Sequence, residues 1–352
     1  MKTLLFFLAH PAHYHLFKNL IYHIKNNYKI KVIIVKKDVL EDLVKKEDWD
    51  YLNIIPEGRR YEKLPILIST ILGMFKTEYR MSKFLWKNKV DLLIGTEGTL
   101  SHLGFLFRIQ SLIVNEDDTS VTPENYLVYP LATKVLLPSV VDKEMWKKKR
   151  IDYLGYHELA YLHPDYFKPD IEIVKKGNPT LERYFIIRLA LLTASHDIGK
   201  KGISEDILTE LIEYLSTNGK VFITSEKPIS EKFEKYRIPV SVHEIHHFLY
   251  FADLYIGDSQ TMAMESALLG TPTIRFNSFA NQCSVILELE NDYQLIHSFL
   301  PDRFDDMFSK VKSIVEDIHS KKSYHEKSKI VIKQKDDLNK ILEKEIREML
   351  IL

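Results

Sequence analysis

Residues 252–276, Ala252-Asp-Leu-Tyr-Ile-Gly-Asp-Ser-Gln-Thr-Met-Ala-Met-Glu-Ser-Ala-Leu-Leu-Gly-Thr-Pro-Thr-Ile-Arg-Phe276, place an apolar run, a polar turn, a helical pattern and a second apolar run in direct succession. Asp253 to Ile256 reads as a short strand, Gly257 permits a tight turn, and the pattern predicts a helix from about Thr261 to Leu269. Gly270 suits a left-handed helix stop, and Pro272 prevents continuation before the next strand. Ser259, Gln260 and Thr261 therefore fall at a helix N-terminus, where free backbone N–H groups and the helix dipole favour an anion. The hydroxyls add donors suited to a phosphate. Glu265 lies one turn further in, on the side of Thr261 or Met262, where a carboxylate can accept two hydrogen bonds from a ribose diol. The small residues Ala263, Ser266 and Ala267 around it allow close approach. A purely structural reading stands beside this one: Asp258 or Ser259 caps the helix, and Glu265 is an ordinary acid that suits the dipole.

The same alternation runs through the rest of the chain. Apolar runs such as "TLLFFLA", "KIKVIIVK", "VDLLIGT", "QSLIVNE", "KVLLPS", "YFIIRLALL", "GKVFITS", "PVSVHE" and "PTIRF" read as strands, separated mostly by amphipathic segments such as "SEDILTELIEYLSTNG". Strands apolar on both faces and alternating with helices imply parallel α/β sheets. The alternation pauses between about Tyr153 and Thr180, a Pro- and aromatic-rich stretch that reads as an interdomain hinge and cleft lining. The expected organisation is one Rossmann-like domain over 1–165, a second over 166–325 and a helical tail over 326–352. A ligand would then lie between the two domains, outside the carboxyl ends of the strands.

A chain of 352 residues accommodates two ordinary domains. Apolar residues make up 45% and charged residues 28%, the balance of a folded globular protein. With 49 basic and 49 acidic side chains the chain lacks the electrostatic footprint of a nucleic-acid binder. Its lysine runs, interleaved with acids and aromatics, read as solvated helix faces; the alternative is a peripheral membrane or acceptor surface. Cys283 is the single cysteine, so no internal disulfide forms and nothing calls for an oxidising compartment. The apolar run near Met1 is short and ends in His10-Pro11, which suits a buried first strand, Thr3 to Leu8, better than a cleaved leader. No run is long enough for a membrane-spanning helix, and a cytoplasmic location is expected.

The run "GDSQTMAMESALLGTP" resembles the nucleotide-binding segment of GT-B-fold enzymes. These include the hydrolysing UDP-N-acetylglucosamine 2-epimerases, with Asp-Ser-Gly-Gly…Glu…Gly-x-Pro, and the N-acetylglucosaminyltransferase of peptidoglycan lipid synthesis. The resemblance implies phosphate contact by Ser259, Gln260 and Thr261 and ribose contact by Glu265, with Gln260-Thr261 standing where the epimerases have Gly-Gly. Together with "HPAHYHLFKNLI", "YLGYHELAYLHPDYF" and "ASHDIGKKGI", it makes the chain similar to an uncharacterised archaeal and bacterial family of the GT-B superfamily. The fold so implied is α/β, with two Rossmann-like parallel-sheet domains facing across a cleft.

Four further segments carry candidate chemistry. His10, His13 and His15 follow the first strand; with no acidic or cysteine ligand beside them, no metal is expected, and a loop histidine can instead serve as phosphate donor or acid–base group. His13 is the favoured member, and falls where the transferase resembled above has the histidine of its Gly-Gly-His loop. In "NEDDTSVTPENYLVYPLATKVLLP", Glu116 and Glu124 are either capping and loop acids or a pair whose environments split their proton affinities. The segment is similar to both reference families, and Glu116 falls near the epimerases' catalytic glutamate. In "LLIGTEGTLSH", Thr96 occupies the place of an epimerase acid and Glu97 stands one position away. In "LLTASHDIGKKGI", His196 falls at a strand end where the epimerases carry a catalytic histidine, with Asp197 in place of their arginine.

These readings point to a nucleotide-sugar enzyme of surface glycan or polysaccharide synthesis, first a UDP-sugar glycosyltransferase acting on a glycan or lipid-linked acceptor. A hydrolysing UDP-GlcNAc 2-epimerase is the alternative, and a non-catalytic nucleotide-sugar sensor a second. No cofactor is expected beyond the UDP-sugar substrate, and a homodimer is compatible with the sequence.

Overall fold

The structure is a computed structural model describing residues 1–37, 39–61, 63–142, 145–190, 202–278, 280 and 282–351. Two parallel sheets organise it. The first contains β1 (Thr3–Leu8), β2 (Lys29–Val35), β3 (Tyr51–Ile55), β4 (Leu92–Gly95), β5 (Gln110–Val114), β6 (Lys134–Pro138) and β7 (Arg150–Tyr153), in the order β3-β2-β1-β4-β5-β6-β7. The second contains β8 (Tyr184–Leu189), β9 (Lys220–Ser225), β10 (Leu254–Gly257), β11 (Thr273–Phe276) and β12 (Ile296–Phe299), in the order β12-β11-β10-β8-β9. Every registered pair is parallel. Leu4 to Leu8 are fully buried, as are Leu254, Tyr255 and Ile256. Such strands have no solvent face, which is why they appear in the sequence as continuous apolar runs.

Both sheets reverse direction once. The chain lays β2 and β3 to one side of β1, then returns with β4 on its other side; likewise β9 lies to one side of β8 and β10 to the other. The carboxyl ends of β1 and β4, and of β8 and β10, are thus the two places where successive connections diverge and leave a crevice.

Three strands escape the pattern reading, "YLNII", "RIDY" and "IHSF", and all three lie at sheet edges as β3, β7 and β12. Edge strands are short and half solvated, so they lack the apolar signal of the centre. Conversely, "PVSVHE" forms a 3₁₀ turn, Val242–Glu244, because Ser241 and Glu244 close a capping box around its start.

The chain divides into two compact units, Met1–Tyr161 with Asp336–Leu352, and Leu162–Lys335. The expected boundaries at 165 and 325 therefore shift, and 326–352 does not form one tail. The final helix, Leu338–Ile351, buries Leu338, Leu342, Ile346 and Met349 along one face and returns to the helix Pro11–Ile24 of the first unit. Polar ties fix it there: Leu154 N donates to Asp336 Oδ2 at 2.8 Å, Asn339 Nδ2 to Ala160 O at 2.9 Å, and Lys134 Nζ meets Glu345 Oε2 at 2.7 Å. The preceding helix, Ser320–Gln334, stays with the second unit, where Ser328 Oγ donates to Leu268 O. No described helix is long and apolar enough to cross a membrane.

Gly270 ends the helix Gln260–Leu268 with φ +82°, as its sequence position implies. A Cβ there would lie 2.6 Å from His325 Nδ1 and 2.8 Å from its Cα. Gly270→Ala is therefore expected to destabilise the fold by about 1–3 kcal/mol, read as a lower urea midpoint; an unchanged midpoint would contradict this packing.

Candidate functional site

In the second unit, the crevice between β8 and β10 is closed below by Asp258. Its Oδ1 accepts from Ala190 N at 2.6 Å, just past β8, and its Oδ2 from Ile203 N at 3.4 Å. Asn277 Nδ2, past β11, donates to Asp258 O at 2.8 Å. Burial pushes this carboxyl above its usual range against the pull of those N–H groups. Asp258 thus ties the ends of three strands together, and the capping role falls to Ser259, whose Oγ accepts from Met262 N at 3.4 Å. From Leu254 to Asn277 every residue is buried except Ser259, Gln260 and Thr261. Solvent reaches this segment at the first turn of the helix, where the orphan backbone donors lie.

Glu265, in the second turn, is 6% exposed. Its Oε1 lies 3.0 Å from Nε2 of His246, equally buried in the helix Ile245–Phe251. An ionised carboxylate only accepts, so Nε2 carries the proton. The Phe167 ring meets His246 edge-on at 6.1 Å. Glu265 is therefore no surface acid answering the helix dipole. Keeping a carboxylate this deep costs several kcal/mol unless donors surround it. His196 and Asp197 lie outside the described residues.

In the first unit, the crevice between β1 and β4 brings together His13 and Thr96. Ala9 N donates to His13 Nδ1 at 3.1 Å, so the ring proton sits on Nε2, 2.9 Å from Thr96 Oγ1. Burial drives the imidazole down to about 3, and the nearby His10, Arg59 and His157 add to this against Glu97. With both nitrogens engaged and no proton affinity near neutrality, His13 is a framework donor rather than a base. His10 caps its helix, Nδ1 accepting from Ala12 N at 3.2 Å. Glu97 is gripped by both terminal nitrogens of Arg59, at 2.9 and 3.3 Å. Burial opposes its ionisation, but the guanidinium prevails and holds the carboxyl below its usual range.

Glu116 has a different environment. It follows β5, and its Oε2 accepts from His157 N at 3.2 Å and lies 3.6 Å from His157 Nδ1. Burial raises its carboxyl to about 7 and lowers the His157 imidazole to about 4. His157 Nε2 and Tyr153 Oη are buried beside it without hydrogen-bond partners among the described residues. The expected Glu116–Glu124 pair does not form. Asn115 Oδ1 accepts from Glu116 N, the turn from Asp118 to Thr122 reverses the chain, and Glu124 emerges exposed at the start of the helix Asn125–Val128. Glu116 meets His157 instead.

Of the candidates, Ser259, Gln260 and Thr261 share one half-buried turn, Glu265 lies buried in the helix they begin, and His13 and Glu116 belong to the first unit. Arg59, His157 and His246 escaped the sequence reading. Arg59 follows an edge strand that the pattern did not reveal, and His157 sits in "YLGYHELAYL", a segment read as cleft lining without a role for its histidine.

A family model described as "Protein of unknown function (DUF354)" matches residues 5–350, and the chain belongs to that family. It is 30% identical over 175 residues to an uncharacterized protein of Methanocaldococcus jannaschii, a match covering 45% of this chain and 49% of the relative; the chain spans about half the length of the curated relative it matches. Among solved structures it is similar to the UDP-GlcNAc 2-epimerase of Neisseria meningitidis bound to UDP-GlcNAc, with TM-score 0.64, 14% identity and 100% of both chains covered. It is also similar to the UDP-GlcNAc 2-epimerase of Methanocaldococcus jannaschii in complex with UDP-GlcNAc and UDP, at 0.64 and 12%, covering 94% of this chain and 99% of that one. A spinosyn rhamnosyltransferase complexed with spinosyn aglycone matches at 0.60 and 11%, covering 97% and 100%. The fold is GT-B.

Proposed function

We propose that this DUF354 protein is a nucleotide-sugar enzyme, a glycosyltransferase that takes a UDP-sugar. The observation that carries the reading is the exposure pattern of the second unit. In an otherwise buried strand–helix–strand segment, the accessible residues are Ser259, Gln260 and Thr261, at a helix N-terminus beside the crevice where the strand order reverses. A diphosphate takes backbone N–H groups there, and Glu265, already holding His246, accepts from the ribose diol. Transfer forms the bond from the acceptor oxygen to the sugar's anomeric carbon. It breaks the bond from that carbon to the β-phosphate oxygen, which leaves with the electron pair. The acceptor proton goes to a base, and Glu116 is the carboxyl whose proton affinity lies near neutrality.

The alternative, 2-epimerisation through anti elimination of UDP, needs further carboxylates to move protons at C2 and C3. Glu97 is held by Arg59 and His13 by Ala9 and Thr96, which favours the transferase.

Incubating the protein with UDP-GlcNAc in the absence of acceptor and following ¹H and ³¹P spectra tests this. Calorimetric binding of UDP without formation of a 2-epimer is expected. Appearance of the 2-epimer would establish the epimerase instead, and failure to bind UDP would remove both.

A further inference from the structure

The helix Ile66–Lys87 faces the wrong way for an ordinary amphipathic helix. The residues it turns inward are Ser69, Gly73, Thr77, Met81 and Leu85, so its first half buries hydroxyls and a glycine. The approach there is close: a Cβ on Gly73 would lie 2.7 Å from Arg59 O. Several of its large apolar side chains point to solvent instead. Ile68, Ile71, Leu72, Phe75, Tyr79 and Trp86 form a stripe at helical spacing, with Phe75 58% and Trp86 84% exposed. Trp86 meets Phe107 edge-on at 6.5 Å, joining this stripe to Phe105 and Leu106, each 69% exposed, at the end of the helix Gly98–Phe107. A continuous apolar surface of this kind marks an interaction face.

Charge identifies the occupant. Within the helix, Lys76, Arg80, Lys83 and Lys87 stand against Glu78 as the one acid, in a chain whose totals balance. Glu78 is hydrogen-bonded to His102 Nδ1, and Lys76 and Arg80 share Glu57. Lys83 and Lys87 are exposed along the stripe. A second copy meeting this face about a two-fold axis would set like charges together. An anionic bilayer would take the aromatic and aliphatic groups at the acyl boundary and the lysines, extended along their stems, at the headgroups. The helix is not apolar enough to span. The geometry points to this face as an interfacial docking surface for an anionic lipid bilayer.

Vesicle flotation tests the inference without any substrate, so its outcome stands apart from that of the UDP experiment. The full chain is expected to float with phosphatidylcholine vesicles that contain phosphatidylglycerol. Lys83→Gln with Lys87→Gln is expected to weaken partitioning about thirtyfold, and Phe75→Ser with Trp86→Ser to abolish it, with thermal melting unchanged because all four side chains are exposed. Absence of the wild type from anionic vesicles, or equal partitioning of the variants, would overturn the proposal. So would a dimer in sedimentation that Phe75→Ser dissociates while vesicles fail to bind, since a second copy would then be the occupant.

Discussion

Glu116→Gln is expected to abolish transfer and, in the same protein, to raise resistance to unfolding above pH 7. Both effects follow from one environment. Burial lifts the folded carboxyl to about 7 from a usual value of 4.5, and the side chain retains 22% of its accessible surface beside His157. Because the folded value is the higher one, the favourable contribution is complete below the unfolded value near 4.5. It declines as pH rises through about 7, beyond which an ionised group is held in a poor solvent. The loss is on the order of 2–3 kcal/mol. Glutamine keeps the shape and can still accept from His157 N, so the urea midpoint of the variant should exceed that of the wild type at pH 8 and match it near pH 4. The amide cannot take a proton, so turnover should fall by about 10²–10⁴. Wild-type kcat/KM should rise with pH through about 7 as the base ionises. A stability gain with full turnover would make Glu116 a structural acid, and turnover without pH dependence in this range would move the base elsewhere.

Legibility in the sequence followed distance along the chain. The central strands could be read because both their faces are buried, as at Leu4–Leu8; the edge strands β3, β7 and β12 could not, since half their surroundings are solvent. The turn at Ser259–Thr261 was also readable. A strand end, a cap and a helix start are neighbours in sequence, and Gly270 marks the stop with its positive φ. The first unit's polar cluster was not readable to the same degree. Arg59 follows β3, Glu97 follows β4, Glu116 follows β5 and His157 follows β7, and only the strand order brings these loops to one end of the sheet. Composition and spacing carry no record of that convergence. So His13 looked like a base, whereas its two nitrogens are engaged by Ala9 and Thr96, and the acid expected to pair with Glu116 is at the surface.

Glu265→Gln is expected to weaken UDP binding by about ten- to a hundredfold, the worth of hydrogen bonds made to a charged acceptor, with little change in melting temperature in the absence of UDP. The choice of glutamine matters. Glu265 and His246 share a 3.0 Å contact and are each 6% exposed. Alanine would leave the His246 N–H buried without its acceptor and open a void, costs that confuse binding with folding. Glutamine preserves volume and an acceptor for His246 Nε2, and removes only the negative charge and one acceptor oxygen. His246→Ala is the complementary case: it removes a donor 3.0 Å from a buried carboxylate and should destabilise the second unit by about 1–3 kcal/mol, with part of that loss recovered when saturating UDP supplies hydroxyl donors to the same oxygens. If calorimetry finds the affinity of Glu265→Gln equal to wild type, and UDP restores nothing to His246→Ala, then the pair exists to fasten one helix to another. The diphosphate at Ser259–Thr261 would have to find its ribose partner on a different element.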